Sequence, residues 1–213
     1  MDKKWTEIVF ILDRSGSMSG LEEDTIGGYN AFLQKQREAE GNARITTVLF
    51  NHEYQLLHDS LPIEEVLPIT RLEYDVGGMT ALLDAVGSTI LRVKQRIHGM
   101  SAQHKPARVV FVITTDGYEN SSVEFGFAQV RDMIHTLVEK SGWEFIFLGA
   151  NIDAEAFAGK IGIQADRAAN YTASKKGTKR MYDSMAEEVA NIRNSGAMRA
   201  DWKQQLQKED PED

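Results

Sequence analysis

Apolar and polar positions along this chain follow two periods. Ile8-Val9-Phe10-Ile11-Leu12 and Val109-Val110-Phe111-Val112-Ile113 are unbroken apolar runs. Runs of this length predict strands buried on both faces. Ile45 to Phe50 and Trp143 to Leu148 read as further strands, and Ala168 to Thr172 as a last, short one. Asn51-His52 fits a two-residue hairpin turn into an antiparallel strand over Glu53 to His58, with Asn supplying the positive φ. Between the strands, apolar residues recur at helical spacing. They are Ile26, Tyr29, Phe32 and Leu33; then Leu82, Val86, Ile90, Val93 and Ile97; then Phe127, Val130, Ile134 and Leu137; and finally Tyr182, Met185, Val189 and Ile192. Ser19-Gly20-Leu21-Glu22 and Ser121-Ser122-Val123-Glu124 resemble capping boxes ahead of two of these helices. Asn151-Ile152-Asp153 begins a short helix that Gly159 and Gly162 end. Pro62 and Pro68 mark a loop, and His98 to Pro106 is a polar connection.

Strands that alternate with helices predict an α/β sheet with helices on both faces. No Pro-, Gly- or Ser-rich linker divides the chain, so one domain is expected over 1–195. The pattern weakens after Gly196. Residues 196–213 read as a polar, acidic tail, mobile over Lys208 to Asp213.

Composition narrows the function classes. The net charge of −8 argues against broad electrostatic binding of nucleic acid. Lys175-Lys176 with Lys179-Arg180 reads as a solvated helix start. The absence of cysteine rules out disulfide and thiolate chemistry and fits a reducing, cytoplasmic compartment. No apolar segment is long enough for a membrane span, and no secretory leader is evident. The five histidines are scattered without ligand spacing. Trp5 and Trp143, at strand starts, are expected in the core, and Trp202 is expected to pack its segment onto the domain.

The candidate chemistry lies where the buried strands end. Asp13-Arg14-Ser15-Gly16-Ser17 follows the first strand, and Thr114-Thr115-Asp116-Gly117 follows the second apolar run. Gly77-Gly78-Met79-Thr80 places Thr80 just before a helix. Ligands of open α/β sheets bind outside the carboxyl ends of the strands. Two carboxylates and three hydroxyls on three such loops are hard oxygens, suited to Mg²⁺, Mn²⁺ or Ca²⁺. They can surround one cation and leave a position open. The first motif alone is equally well read as a capped turn. Thr80 and Asp116 decide for the metal.

These residues resemble the metal-ion-dependent adhesion site (MIDAS) of von Willebrand factor A (vWA) domains. That signature is D-x-S-x-S after the first strand, a Thr on a second loop and an Asp in a D-G turn after the fourth strand. Asp13, Ser15, Ser17, Thr80 and Asp116 occupy all five positions. The segment around Asp84 also resembles the family's second motif, and Asp84 itself reads as stabilising the helix start or loops. The resemblance, over Lys4 to Tyr171, implies a Rossmann-like, doubly wound, mostly parallel six-stranded sheet with one antiparallel edge strand. It further implies that Ser15, Ser17 and Thr80 are hydroxyl ligands, with Asp13 and Asp116 as the charged partners. The metal, Mg²⁺ or Mn²⁺ with Ca²⁺ as a third candidate, would bind an Asp or Glu of a protein partner. The expected protein is thus a stand-alone, monomeric binding module of bacterial or phage type, not an enzyme.

Two other readings compete. Asp13 beside Mg²⁺ suggests an aspartyl nucleophile for phosphoryl transfer, but no positioned Lys is evident and Ser15 stands where such phosphatases commonly carry a second acid. Glu209, Asp210, Glu212 and Asp213 suggest self-association through the metal site of another copy; a solubilising tail is the simpler account. Glu119-Asn120-Ser121 lies on the same rim and reads as a polar turn or a partner contact.

Overall fold

A computed structural model describes residues 4–206. The acidic residues invoked for self-association lie outside them. Six strands form one sheet: β1 (Trp5–Asp13), β2 (Asn42–Phe50), β3 (Tyr54–Pro62), β4 (Arg108–Thr115), β5 (Glu144–Gly149) and β6 (Ala168–Asn170). Their order is β3-β2-β1-β4-β5-β6, and only the β2–β3 pair is antiparallel. The order reverses between β1 and β4, so the carboxyl ends of these two strands form the switch point where such sheets bind ligands. Asp13 is the last residue of β1, and Asp116 follows the last residue of β4.

Among the described residues, five α-helices cover the sheet: α1 (Glu22–Glu38), α2 (Leu82–His98), α3 (Phe127–Ser141), α4 (Ala154–Lys160) and α5 (Lys175–Ser195). Ile8, Phe10 and Leu12 of β1 face α1 and α5, while Val9 and Ile11 face α2 and α3. Both faces are dry, which explains the unbroken apolar run. Phe10 meets Tyr29 and Phe32 edge-on and stacks at 6.1 Å on Tyr182. Arg193 of α5 is buried, and its Nη1 donates to the Gln36 carbonyl at 2.6 Å and its Nη2 to the Gly41 carbonyl at 2.6 Å. It thereby serves carbonyls around the end of α1 that the helix leaves unpaired.

The α1–α5 contact depends on Gly28. A Cβ there would lie 2.1 Å from Tyr182 Cδ2. Gly→Ala in a helix interior ordinarily stabilises, but at this position the collision reverses the sign. Gly28→Ala is expected to destabilise by about 1–3 kcal/mol, measured by urea denaturation. An unchanged or raised midpoint would contradict this packing.

Several local expectations are corrected. The β2–β3 connection is a three-residue turn, and Asn51 does not take a positive φ. Its Oδ1 instead accepts the Glu53 amide at 2.8 Å. Ser19 does not cap α1, whose N-cap is Leu21; Glu22 only accepts the Gly20 amide at 2.8 Å. Ser121 to Glu124 is loop, and α3 starts beyond Gly126, where Gln129 accepts the Gly126 amide. β3 continues through Pro62, β6 stops at Asn170, and Gly159 lies inside α4. Trp5 is only half-buried, with Arg44 over its ring and its Nε1 donating to the His104 carbonyl. Trp202 is buried against α5, and its Nε1 donates to the Asp166 carbonyl at 2.8 Å.

Candidate metal centre

β1 delivers Asp13 fully buried at the sheet's end. Its Oδ1 accepts the Ser15 amide at 2.7 Å, which turns the chain and lifts Ser15 and Ser17 above the strand end. Its Oδ2 accepts the Thr115 hydroxyl at 2.6 Å from the end of the neighbouring β4. The Tyr74 hydroxyl donates to the Asp13 carbonyl at 2.6 Å and anchors the loop before α2 beneath the site.

Backbone bonds draw the second loop in. The Gly16 amide donates to the Gly78 carbonyl at 3.0 Å, and the Gly77 amide to the Arg14 carbonyl at 2.9 Å. Thr80 is held on both sides. Asn120 Oδ1 accepts its amide at 2.9 Å, and its carbonyl accepts the Asn120 amide at 3.0 Å. Asn51 Nδ2 donates to the Gly77 carbonyl at 2.7 Å, and the Asn51 carbonyl accepts the Ala81 amide at 2.8 Å.

The structure thus brings Asp13, Ser15, Ser17, Thr80 and Asp116 onto three adjoining loops. Ser15 and Ser17 hydroxyls lie 3.1 Å apart, and Ser17 Oγ donates to Asp116 Oδ1 at 2.5 Å. A Cβ on Gly117 would sit 3.0 Å from Ser17 Oγ and 3.6 Å from Thr80 Oγ1. Any side chain after Asp116 would therefore fill the space that these hydroxyls face. Asp84 is placed elsewhere: its carboxylate accepts the Val123, Glu124 and Phe125 amides and fixes the loop ahead of α3. Glu119 likewise accepts the Leu83, Ser121 and Ser122 amides. Among the described residues no group of three or more His, Cys, Asp or Glu could hold a metal, so a cation here would depend on hydroxyls beside two carboxylates.

The electrostatics fit a dication. Burial pushes the Asp13 carboxyl up to about 6, against the pull of hydrogen bonds from Thr115 and Ser15, and the Asp116 charge adds to the rise. Burial also raises Asp116, opposed by the Ser17 hydroxyl. Asp116 Oδ2 is buried without a hydrogen-bond partner. An orphaned carboxylate oxygen is costly in a dry setting. Two desolvated carboxylates and an orphan oxygen beside three hydroxyls are the donor set that a hard cation satisfies. Each hydroxyl can offer a lone pair to the cation while its O–H donates to a neighbouring oxygen.

Thr115, Asn120, Asn51 and Tyr74 carry the supporting bonds, and none was singled out from sequence for that role. Thr115 stands beside Asp116, yet nothing in the spacing shows which strand-end threonine reaches Asp13. Thr115→Val is expected to keep the fold and lower Mg²⁺ affinity about tenfold or more, as loss of an outer partner typically does. Calorimetry on the variant checks this, and parental affinity would remove Thr115 from the site.

No family model and no curated protein matches the sequence. Solved structures do match. A von Willebrand factor type A protein from Catenulispora acidiphila is 13% identical with a TM-score of 0.57, over 88% of this chain and 43% of that one. Proximal thread matrix protein 1 from the mussel byssus, with a zinc-occupied MIDAS motif, is 14% identical with a TM-score of 0.60, over 88% of this chain and 46% of that one. Manganese-loaded TRAP protein of Plasmodium vivax is 16% identical with a TM-score of 0.52, over 69% and 57% respectively. This chain spans about half the length of these proteins. At such identities the likeness speaks for the fold. With the strand order and the single antiparallel edge strand, it gives this chain the von Willebrand factor A fold.

Proposed function

We propose that this chain is a metal-dependent protein-binding module. Ser15, Ser17 and Thr80 would hold Mg²⁺ or Mn²⁺ through hydroxyls, with Asp13 and Asp116 supplying the charge; Ca²⁺ is a third candidate. Only two of the five ligating groups are anionic, so a bound cation would stay electrophilic and accept an Asp or Glu carboxylate from a partner. The observation that carries this reading is the convergence of three loops on two buried carboxylates, one with an unpartnered oxygen. The zinc and manganese in two structural neighbours belong to those proteins, but they support a divalent ion at this place in the fold.

Both Asp13 oxygens already accept hydrogen bonds, and the side chain is fully buried. That burial supports binding rather than phosphoryl transfer with Asp13 as nucleophile, since a nucleophile must be open to the incoming phosphoryl group. The same reading makes the module a cytoplasmic monomer that binds neither nucleic acid nor membrane, in keeping with its acidity and lack of cysteine.

Calorimetric titration of the chelator-treated chain with Mg²⁺ and with Mn²⁺ tests the reading, with Asp13→Ala alongside. One saturable site, lost in the variant, is expected. Equal heats in the variant would overturn it, as would no heat and no metal-dependent thermal shift with either ion.

A further inference from the structure

The rim of the site carries apolar surface that neither the fold nor the metal uses. Met79 is 57% exposed, Tyr118 60% and Val123 91%. Met79 directly precedes Thr80, Tyr118 stands two residues after Asp116, and Val123 belongs to the segment that Asp84 holds. Their loops are tied together by the two Thr80–Asn120 bonds, one through the Asn120 side chain and one through its amide, and by the three amides that Asp84 accepts. The three side chains are therefore exposed on adjoining loops next to the candidate metal centre.

Two acids of this rim are turned to other work, while Glu124 beside Val123 is exposed. Asp84 and Glu119 spend their carboxylates on backbone amides. An incoming acid thus meets the cation's charge beside neutral side chains (Met79, Tyr118, Val123) and two carboxylates that are already hydrogen-bonded. Aromatic and Met side chains are enriched at the cores of binding surfaces, where they bury much apolar area. A surface on loops tied in this way is also preorganised, so less ordering opposes binding.

We infer that the partner is an extended protein segment with an Asp or Glu at the metal and apolar residues close beside it, seated on Met79, Tyr118 and Val123. This rests on the metal-bridged reading above and specifies its partner. Three residues of extended chain reach about 10 Å, so the apolar residues belong within about three positions of the acid. The cation supplies the requirement for an acid, and the apolar surface supplies selectivity among acidic segments.

The test is selection of random 12-residue displayed peptides on the full chain in Mg²⁺, with elution by EDTA. The expected sequences share one Asp or Glu with Leu, Met, Phe, Tyr or Trp within three positions. Binding of the strongest should fall at least tenfold in Met79→Ser with Tyr118→Ser, and less in Val123→Ser alone. The Mg²⁺ affinity of the double variant should stay within twofold of the parent. Acids flanked by polar or basic residues would overturn the inference, as would peptides insensitive to the double variant. So would a chain that binds Mg²⁺ yet yields no EDTA-eluted peptide, including one that instead sediments with phosphatidylcholine–phosphatidylserine vesicles. Absence of Mg²⁺ binding in calorimetry marks a different failure, that of the metal reading itself.

Discussion

Asp13→Asn is expected to leave the metal-free protein at least as stable as the parent at pH 8, while removing all stabilisation by Mg²⁺. The reason is the cost of burying this carboxylate. Burial pushes its pKa up to about 6 in the folded chain from an ordinary value of 3.8. Between these two values the folded chain binds more protons than the unfolded one, so stability falls as pH rises through the window. The full penalty, about 3 kcal/mol from a shift of about two units, is present above pH 6 and absent below about 4. Asn keeps the shape and an acceptor for the Ser15 amide but carries no charge to desolvate. A bound dication offsets the penalty in the parent. At a hundredfold excess over its dissociation constant Mg²⁺ would add about 2.7 kcal/mol, or roughly 5–10 °C in Tm for a chain of this size. Protons compete for the same carboxylate, so Mg²⁺ affinity should be level above pH 6 and weaken about tenfold per unit below it. Thermal melts of both proteins from pH 5 to 8, with and without Mg²⁺, decide the matter. A variant destabilised by several kcal/mol without metal, or one still stabilised by Mg²⁺, would refute this account.

The second large effect lies at the opposite end of the sheet. Glu7 is fully buried near the amino end of β1, opposite Arg44 of β2 and Val109 of β4. Its Oε1 accepts Thr46 Oγ1 at 2.6 Å and Arg96 Nη2 at 2.7 Å, and its Oε2 accepts Ser60 Oγ at 2.6 Å. Burial raises its pKa, and the Arg96 charge is the main pull downward. Arg96→Ala leaves a buried carboxylate with two hydroxyls and no counter-charge. The expected loss is about 3–5 kcal/mol at neutral pH, read from urea denaturation. Without Arg96 the folded pKa rises further, so the variant regains stability as pH falls and Glu7 takes up a proton. Glu7→Gln in the Arg96→Ala background should then recover much of the loss at pH 7. A loss below 1 kcal/mol, or one unchanged between pH 8 and 5, would show that the pair is not coupled in this way.

Part of this was legible in the chain because the physics is local. An apolar run without alternation requires cover on both faces, and β1 and β4 have it. Asp13, Ser15 and Ser17 lie within one turn, so their spacing carried a geometry. Gly117 follows Asp116 because a side chain there would fill the space before two hydroxyls. The helix starts were less legible. Ser-x-x-Glu spacing pointed to capping boxes at 19–22 and 121–124, but in the second segment the amides of residues 123–125 are taken by Asp84, about 40 residues away. A distant carboxylate offers three acceptor contacts at once, and no local hydroxyl competes with that.

The sequence by itself determined the alternation of strands and helices, the antiparallel edge strand and the candidate residues for a hard cation. Those follow from side-chain period and atom type, which need only near neighbours. The tertiary structure decided which groups hold these residues in place. Thr115 reaches Asp13 across two adjacent parallel strands, Asn120 clamps Thr80 from 40 residues away, and Tyr74 anchors the loop between them. It also decided that Glu119 binds amides rather than faces a partner, and that the loop Asp84 stabilises is residues 123–125. Such pairings depend on strand order and loop approach, which bring together atoms that no spacing along the chain relates.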